Sequence, residues 1–99
     1  MAHEVVWSPR AIDDVEAIAR YIAEDSMAYA RSVVKKIVDA TRKLSTFPMS
    51  GRVVPEFDEE KIREVFAYSY RIIDRVEGKV VTIAAVVHGK RPVELEVQP

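Results

Sequence analysis

The run IREVFAYSYRIIDRVEGKVVTIAAVVHGKR, from Ile62 to Arg91, carries β-branched and aromatic residues in three stretches separated by short breaks. Ile62–Tyr68, Tyr70–Val76 and Val80–Val87 read as strands. Glu77-Gly78, between the second and third, is a tight hairpin connection. Connections this short make the strands antiparallel neighbours. Alternation then assigns faces. In the middle strand Tyr70, Ile72 and Val76 share one side, and Arg71, Ile73 and Arg75 share the other. In the last strand Val81, Ile83, Ala85 and Val87 lie opposite Val80, Thr82, Ala84 and Val86. That strand is apolar on both sides and is expected in the interior of the sheet. Asp74 falls with Tyr70 and Ile72 on the core side, where a carboxylate needs an edge position or an ion pair.

The same region concentrates positive charge. Between Lys61 and Arg91 there are seven cations (Lys61, Arg63, Arg71, Arg75, Lys79, Lys90, Arg91) against three acids, while the whole chain carries a net charge of −1. A near-neutral protein that gathers cations on one sheet is expected to meet something anionic there.

The first half of the chain reads as one strand and two helices. His3 to Trp7 is a short β-prone run. Ser8 can cap a helix with its hydroxyl, and Pro9 suits the first helical position because its missing N–H would be unpaired there anyway. Asp13 and Asp14 are expected in or near the first turn, where the helix dipole favours negative charge. Ala11, Ile12, Val15, Ile18, Ala19 and Ile22 continue an amphipathic helix to about Ala23. Asp25 or Ser26 can cap a second helix, whose stripe is Ala30, Val33, Val34, Ile37, Val38, Thr41 and Leu44. Arg42 and Lys43 suit its C-terminal end, and Pro48 forbids continuation. The short break makes the two helices an antiparallel hairpin. Residues 47–55 form a loop with Pro48, Gly51 and Pro55.

The chain of 99 residues is read as one domain over residues 1–99, and 48% hydrophobic with 31% charged residues is the composition of a globular chain. The lack of cysteine excludes disulfides and Cys-ligated metal centres. With only His3 and His88, a histidine metal site is not expected either, and no cofactor is implied. The segment from Met1 to Trp7 turns polar too quickly for a signal peptide, and no apolar run approaches the roughly 18 residues of a membrane span. A cytoplasmic protein without a membrane partner is the expectation.

Together these elements predict an α+β fold of order β-α-α-β-β-β. The helical hairpin packs on one face of a mainly antiparallel four-stranded sheet. The hairpin covers one face only, so the other is expected to expose Arg71 and Arg75 above a floor of small residues, with His88, Lys90 and Arg91 at the rim. Trp7 and Phe66 read as core aromatics. Tyr21 and Tyr29, near the helix ends, read either as interface residues or as a half-buried core edge.

The order of elements resembles the RelE/ParE family of type II toxins, and so do Trp7-Ser8-Pro9-Arg10-Ala11 with Asp14, Pro48 with Gly51-Arg52, Ile62-Arg63-Glu64, Tyr70-Arg71-Ile72-Ile73, and His88-Gly89-Lys90-Arg91. The resemblance covers Val5 to about Arg91. It implies a toxin held by a cognate antitoxin that covers its working surface. It also offers two targets: RelE-like members cut messenger RNA on the ribosome, and ParE-like members poison DNA gyrase.

Metal-free RNA cleavage needs a base for the 2′-OH, charge stabilisation at phosphorus and an acid for the leaving oxygen. Arg71 and Arg91 match the two family arginines. Anchoring on Tyr70-Arg71 places the family's lysine pair near Ile62 and Glu64, and a one-residue slip brings Lys61 and Arg63 there instead. Arginine stays protonated and is a poor base. The family's terminal tyrosine falls near Val97, and no Tyr or His follows His88. The nuclease set is incomplete: Arg71, Arg91, Lys61 and Arg63 are its only candidates. The ParE-like reading is favoured, as in a plasmid-stabilisation toxin, with Arg63, Arg71, Arg75, His88, Lys90 and Arg91 as target-binding residues; the alternatives are a RelE-like ribonuclease and a non-toxic family member acting as a binding partner. Arg71 and Arg75 have a plainer reading as cations that solvate a sheet face. Arg63-Glu64 can be simple cross-strand charge pairing, and His88 can cap a strand end.

Overall fold

Ser8 starts the first helix in the way its sequence predicts. In the computed structural model, which describes residues 2–95, its Oγ accepts the Ala11 N–H at 3.0 Å, and Pro9 opens α1 (Pro9–Ala23). Ser26 caps α2 (Met27–Arg42) by accepting the Tyr29 N–H at 3.0 Å. A 3-10 turn, Lys43–Ser45, follows directly. Asp13 and Asp14 lie past the first turn of α1, because the helix already begins at Pro9. The apolar stripes of both helices meet the sheet. Ala11, Ile22, Ala30, Val33, Ile37 and Leu44 close over Ala67, Ile72, Val81, Ile83 and Val86, and Trp7 packs at the edge of this core. Among the described residues, no helix is long and apolar enough to cross a membrane.

The sheet has five strands: β1 (Glu4–Trp7), β2 (Arg52–Val53), β3 (Ile62–Ala67), β4 (Tyr70–Glu77) and β5 (Val80–His88), in the order β1-β5-β4-β3-β2. β1 runs parallel to β5, and the other pairs are antiparallel. β5 lies in the interior between β1 and β4, as its two apolar sides predict. The strand that the sequence did not reveal is β2, where Arg52 and Val53 pair with Glu64 and Arg63. Two residues in a Pro/Gly loop carry no alternation to read. Gly51 makes the pairing possible: a Cβ there would lie 2.4 Å from the Glu64 carbonyl oxygen, so only glycine lets the loop come this close.

Two further expectations about the faces fail. The face away from the helices is not open. Val54 from the loop and Val93 from the C-terminal segment cover Ile62, Ile73 and Ala85, with Phe57, Val87 and Leu95 around them. Strict alternation in β5 also breaks. Ile73 pairs with Ala85 but Asp74 pairs with Ile83, so Ala84 is an extra residue, a β-bulge. One inserted residue exchanges the faces of everything after it. Ala85 therefore joins the second core while Val81 and Ile83 stay in the first.

A bulge next to the end of β1 leaves backbone groups of β5 without a strand partner. The start of α1 satisfies them. Ser8 Oγ donates to the Ala84 carbonyl at 3.0 Å, and Asp14 Oδ2 accepts the Val86 N–H at 2.9 Å. Asp14 thus ties the helix to the sheet across the bulge.

Candidate functional site

Arg71 lies on the second face and is 5% exposed, in contrast to its expected place above an open floor. Its Nε donates to Glu64 Oε1 at 2.6 Å, and Nη1 and Nη2 donate to the two carboxylate oxygens of Glu56 at 2.8 Å each. Nη1 also reaches the Arg91 carbonyl oxygen at 3.2 Å. Glu64 is buried and takes a second guanidinium, Arg52 Nε at 2.5 Å. Arg71 is buried because Glu64 and Arg71 sit diagonally on neighbouring strands with side chains on one face, so each supplies the countercharge that the other's burial demands.

The electrostatics follow from these bonds. Glu56 is held down to about 2, first by its hydrogen bonds from Arg71 and then by the Val93 N–H it accepts at 3.1 Å. Arg71 is driven further toward its charged form, first by Glu56 and also by Glu64. One guanidinium thereby joins β4, β3, the loop after β2 and the C-terminal segment.

The remaining cations read as target-binding do not form one patch. Arg63 is half-buried; its Nε donates to the Glu60 carbonyl at 3.0 Å and its Nη1 to the Gly51 carbonyl at 2.7 Å, pinning the loop. Arg75 is half-buried, 3.7 Å from Glu77, and lines a cavity of about 910 Å³ with Ile62, Thr82 and Ala84. His88 belongs to the other end and the helix-side face, with its ring edge-on to Tyr70 at 5.9 Å. Its Nδ1 accepts the Lys90 N–H at 3.3 Å, a local strand-end bond. Lys61, Lys90 and Arg91 are exposed, and none has a carboxylate within ion-pair distance among the described residues. Arg91 does come beside Arg71, but through its backbone carbonyl. The position near Val97 lies outside the described residues.

Asp74 finds neither of the rescues its sequence position asks for. It is 0% exposed on an interior strand, and neither carboxylate oxygen has a hydrogen-bond partner. Burial pushes it up to about 7, and the charge of Arg63, its cross-strand neighbour, opposes that rise. Arg63 makes no hydrogen bond to Asp74; its own bonds go to the carbonyls of Glu60 and Gly51.

Sequence reasoning missed Glu56 and the exposure of Phe66 and Tyr68, though it read Tyr21 and Tyr29, both exposed, as interface residues or a half-buried core edge. Glu56 sits in a loop with no periodic signal. Phe66, expected in the core, is 50% exposed under the Arg52 guanidinium, which stands 5.2 Å from its ring centre. At the turn after it, Tyr68 stands edge-on to Tyr29 at 6.1 Å.

The family model described as "ParE toxin of type II toxin-antitoxin system, parDE" matches residues 5–93. Several solved structures share the fold. The chromosomal ParDE toxin–antitoxin system of P. aeruginosa superposes with a TM-score of 0.72 at 21% identity, covering 88% of this chain and 96% of that one. The toxin–antitoxin complex RelBE2 of Mycobacterium tuberculosis gives 0.64 at 18% identity, covering 89% and 99%. A double arginine-to-alanine mutant of the E. coli toxin RelE in the free state gives 0.65 at 15% identity, covering 91% and 86%. A search of curated proteins finds no match.

Proposed function

This chain belongs to the ParE toxin family of type II toxin–antitoxin systems, and we propose that it acts by binding DNA gyrase in the cytoplasm, until a cognate antitoxin neutralises it. The observation that supports binding over RNA cleavage is the state of Arg71. Its guanidinium is closed off by Glu56 and Glu64. A phosphodiester brought there would face two carboxylates, which repel it, and Glu56, held at about 2 by Arg71, is a poor acceptor for the 2′-OH proton. Of the residues read as target-binding, His88, Lys90 and Arg91 are the ones open to a partner, with Arg75 half-open.

The antitoxin reading rests on the toxin–antitoxin complexes among the structures this chain resembles, and on a groove between the helices. That groove holds about 790 Å³, with Ala19, Ala23, Val34 and Val38 in its lining beside Arg20 and Arg31, while Lys35 and Arg42 there are paired with Asp39 and Glu16 adds one acid. An amphipathic helix with an apolar face and acidic flanks fits it.

The deciding experiment is a pair of assays on purified protein. Inhibition of gyrase supercoiling without cleavage of ribosome-bound message is the expected result. Cleavage with supercoiling untouched, abolished by Arg91→Ala, would replace this proposal with a RelE-like ribonuclease.

A further inference from the structure

Four tyrosines and a histidine meet where the helical hairpin turns and β3 passes into β4. Tyr29 and Tyr68 stand edge-to-face, and Tyr70 and His88 do the same beside them. Burial first, and then the phenols of Tyr29 and Tyr21, raise the Tyr70 phenol. Tyr21 is 73% exposed, Tyr68 54% and Tyr29 51%, so the cluster is presented outward and not packed away.

The backbone at Tyr68 is the unusual feature. Tyr68 and Ser69 form a two-residue hairpin loop, and Tyr68 has φ +53° while Ser69 is not in that region. A loop with positive φ at its first residue alone ordinarily takes glycine there. A bulky side chain in this region is an outlier that the surrounding structure must hold in place. Here the Ser69 carbonyl is clamped by the Gly89 N–H at 2.6 Å, which ties the turn to the end of β5. The fold therefore keeps an aromatic ring on the tip of a turn where a smaller residue would be less strained. Next to the clamp, Lys90 and Arg91 are exposed without a carboxylate partner among the described residues.

We propose that this tyrosine end, Tyr21, Tyr29 and Tyr68 with Lys90 and Arg91, is the surface with which the toxin grips its target, and that the matching surface is a protein patch of apolar side chains with carboxylates facing Lys90 and Arg91. The proposal rests on the reading that the toxin works by binding. Tyrosines on a rigid support are the residue type that dominates protein interfaces, because they bury a large area at little entropic cost. Lys90 and Arg91, without a carboxylate partner among the described residues, favour carboxylates where the partner faces them, while Glu24 and Asp25, exposed at the helical turn, favour cations where the partner faces those. A protein is favoured over a nucleic-acid strand by the geometry: the rings stand edge-to-face, so they offer no flat stack for successive bases.

The test compares wild type with Tyr68→Gly and Tyr21→Ser. Tyr68→Gly installs the residue the turn ordinarily takes, and Tyr21→Ser alters a largely solvated side chain, so both fold and neither melts below wild type. Each is expected to lose about tenfold or more in potency, read as growth arrest on induction and as supercoiling inhibition by purified protein. Full potency in both folded variants overturns the proposal. Wild-type binding to a fluorescent single-stranded DNA, lost in both variants, overturns the protein assignment. If wild type arrests growth but leaves gyrase untouched, the gyrase reading fails and growth arrest alone judges this surface. A wild-type chain that arrests no growth overturns both.

Discussion

Arg71 is a residue whose motif suggests a phosphate-handling group and whose position makes it a structural tie. Replacing it with Met leaves Glu64 buried with a single partner, Arg52, and frees Glu56. Loss of about 3 kcal/mol in urea unfolding is expected, the low end for a broken buried pair because Arg52 remains. Arg71→Lys should recover little of it, since one ammonium cannot serve both Glu56 oxygens and Glu64 together. Asp74 governs a different response. Its carboxyl stands near 7 in the fold against an ordinary 3.8, so between those values the native state keeps a proton that the unfolded chain releases. Stability therefore falls as pH rises across that window, by up to about 1.4 kcal/mol per pH unit, and is flat above it. Asp74→Asn should remove this slope and leave the protein more stable than wild type at pH 8, measured as melting temperature against pH. Glu56 acts with the opposite sign: held at about 2 against an ordinary 4.5, it contributes stability that is lost as pH falls through that range.

Among the elements, the junction of α1 with β5 is the place where a single atom matters most. Asp14→Ala leaves the Val86 N–H unpaired beside the bulge, at a cost of about 1–3 kcal/mol. Asp14→Asn keeps an acceptor oxygen and should cost much less, so the difference between the two in denaturant melts isolates that hydrogen bond. The helices and the three long strands were legible because their patterns run over several turns or pleats. Ser8-Pro9 announced the first helix through capping chemistry, and the choice of Asp25 or Ser26, resolved in favour of Ser26, announced the second. The bulge was not legible, since Ala84 and Ala85 are alike and either face accepts an alanine. Nor was β2, whose two residues are set by the close approach at Gly51. Motif spacing singled out Arg71, but it gave no sign of the acids that close it in, which come from a loop and from a diagonal pair. The parity of Glu64 and Arg71 was available from register. Glu56 was not.

At the scale of the whole molecule, the second core is a lid of few residues. Val93 is buried against Ile62 and Ile73, Glu56 accepts its N–H, and Arg10 bonds the Glu94 carbonyl. Glu56→Gln keeps the shape but loses the charge that binds Arg71, so the segment from Arg91 to Leu95 should open more often. Amide exchange at Val93 is expected to speed up by about tenfold or more, while amides in Ile72 and Ile83 keep their protection. Unchanged exchange at Val93 would mean that apolar contacts alone hold the segment. The parallel pairing of β1 with β5 has a consequence in time. Glu4 pairs with Val80 and Trp7 with Ile83, so β1 waits for β5, which is translated well after it. The sheet closes late, on contacts between distant parts of the chain. A nascent chain stopped before β5 has no neighbour for β1, no Gly89 to clamp the tyrosine turn and no segment to cover the second core. Translation itself thus delays the fold, and a cell that interrupts synthesis of this protein makes a fragment that cannot complete it.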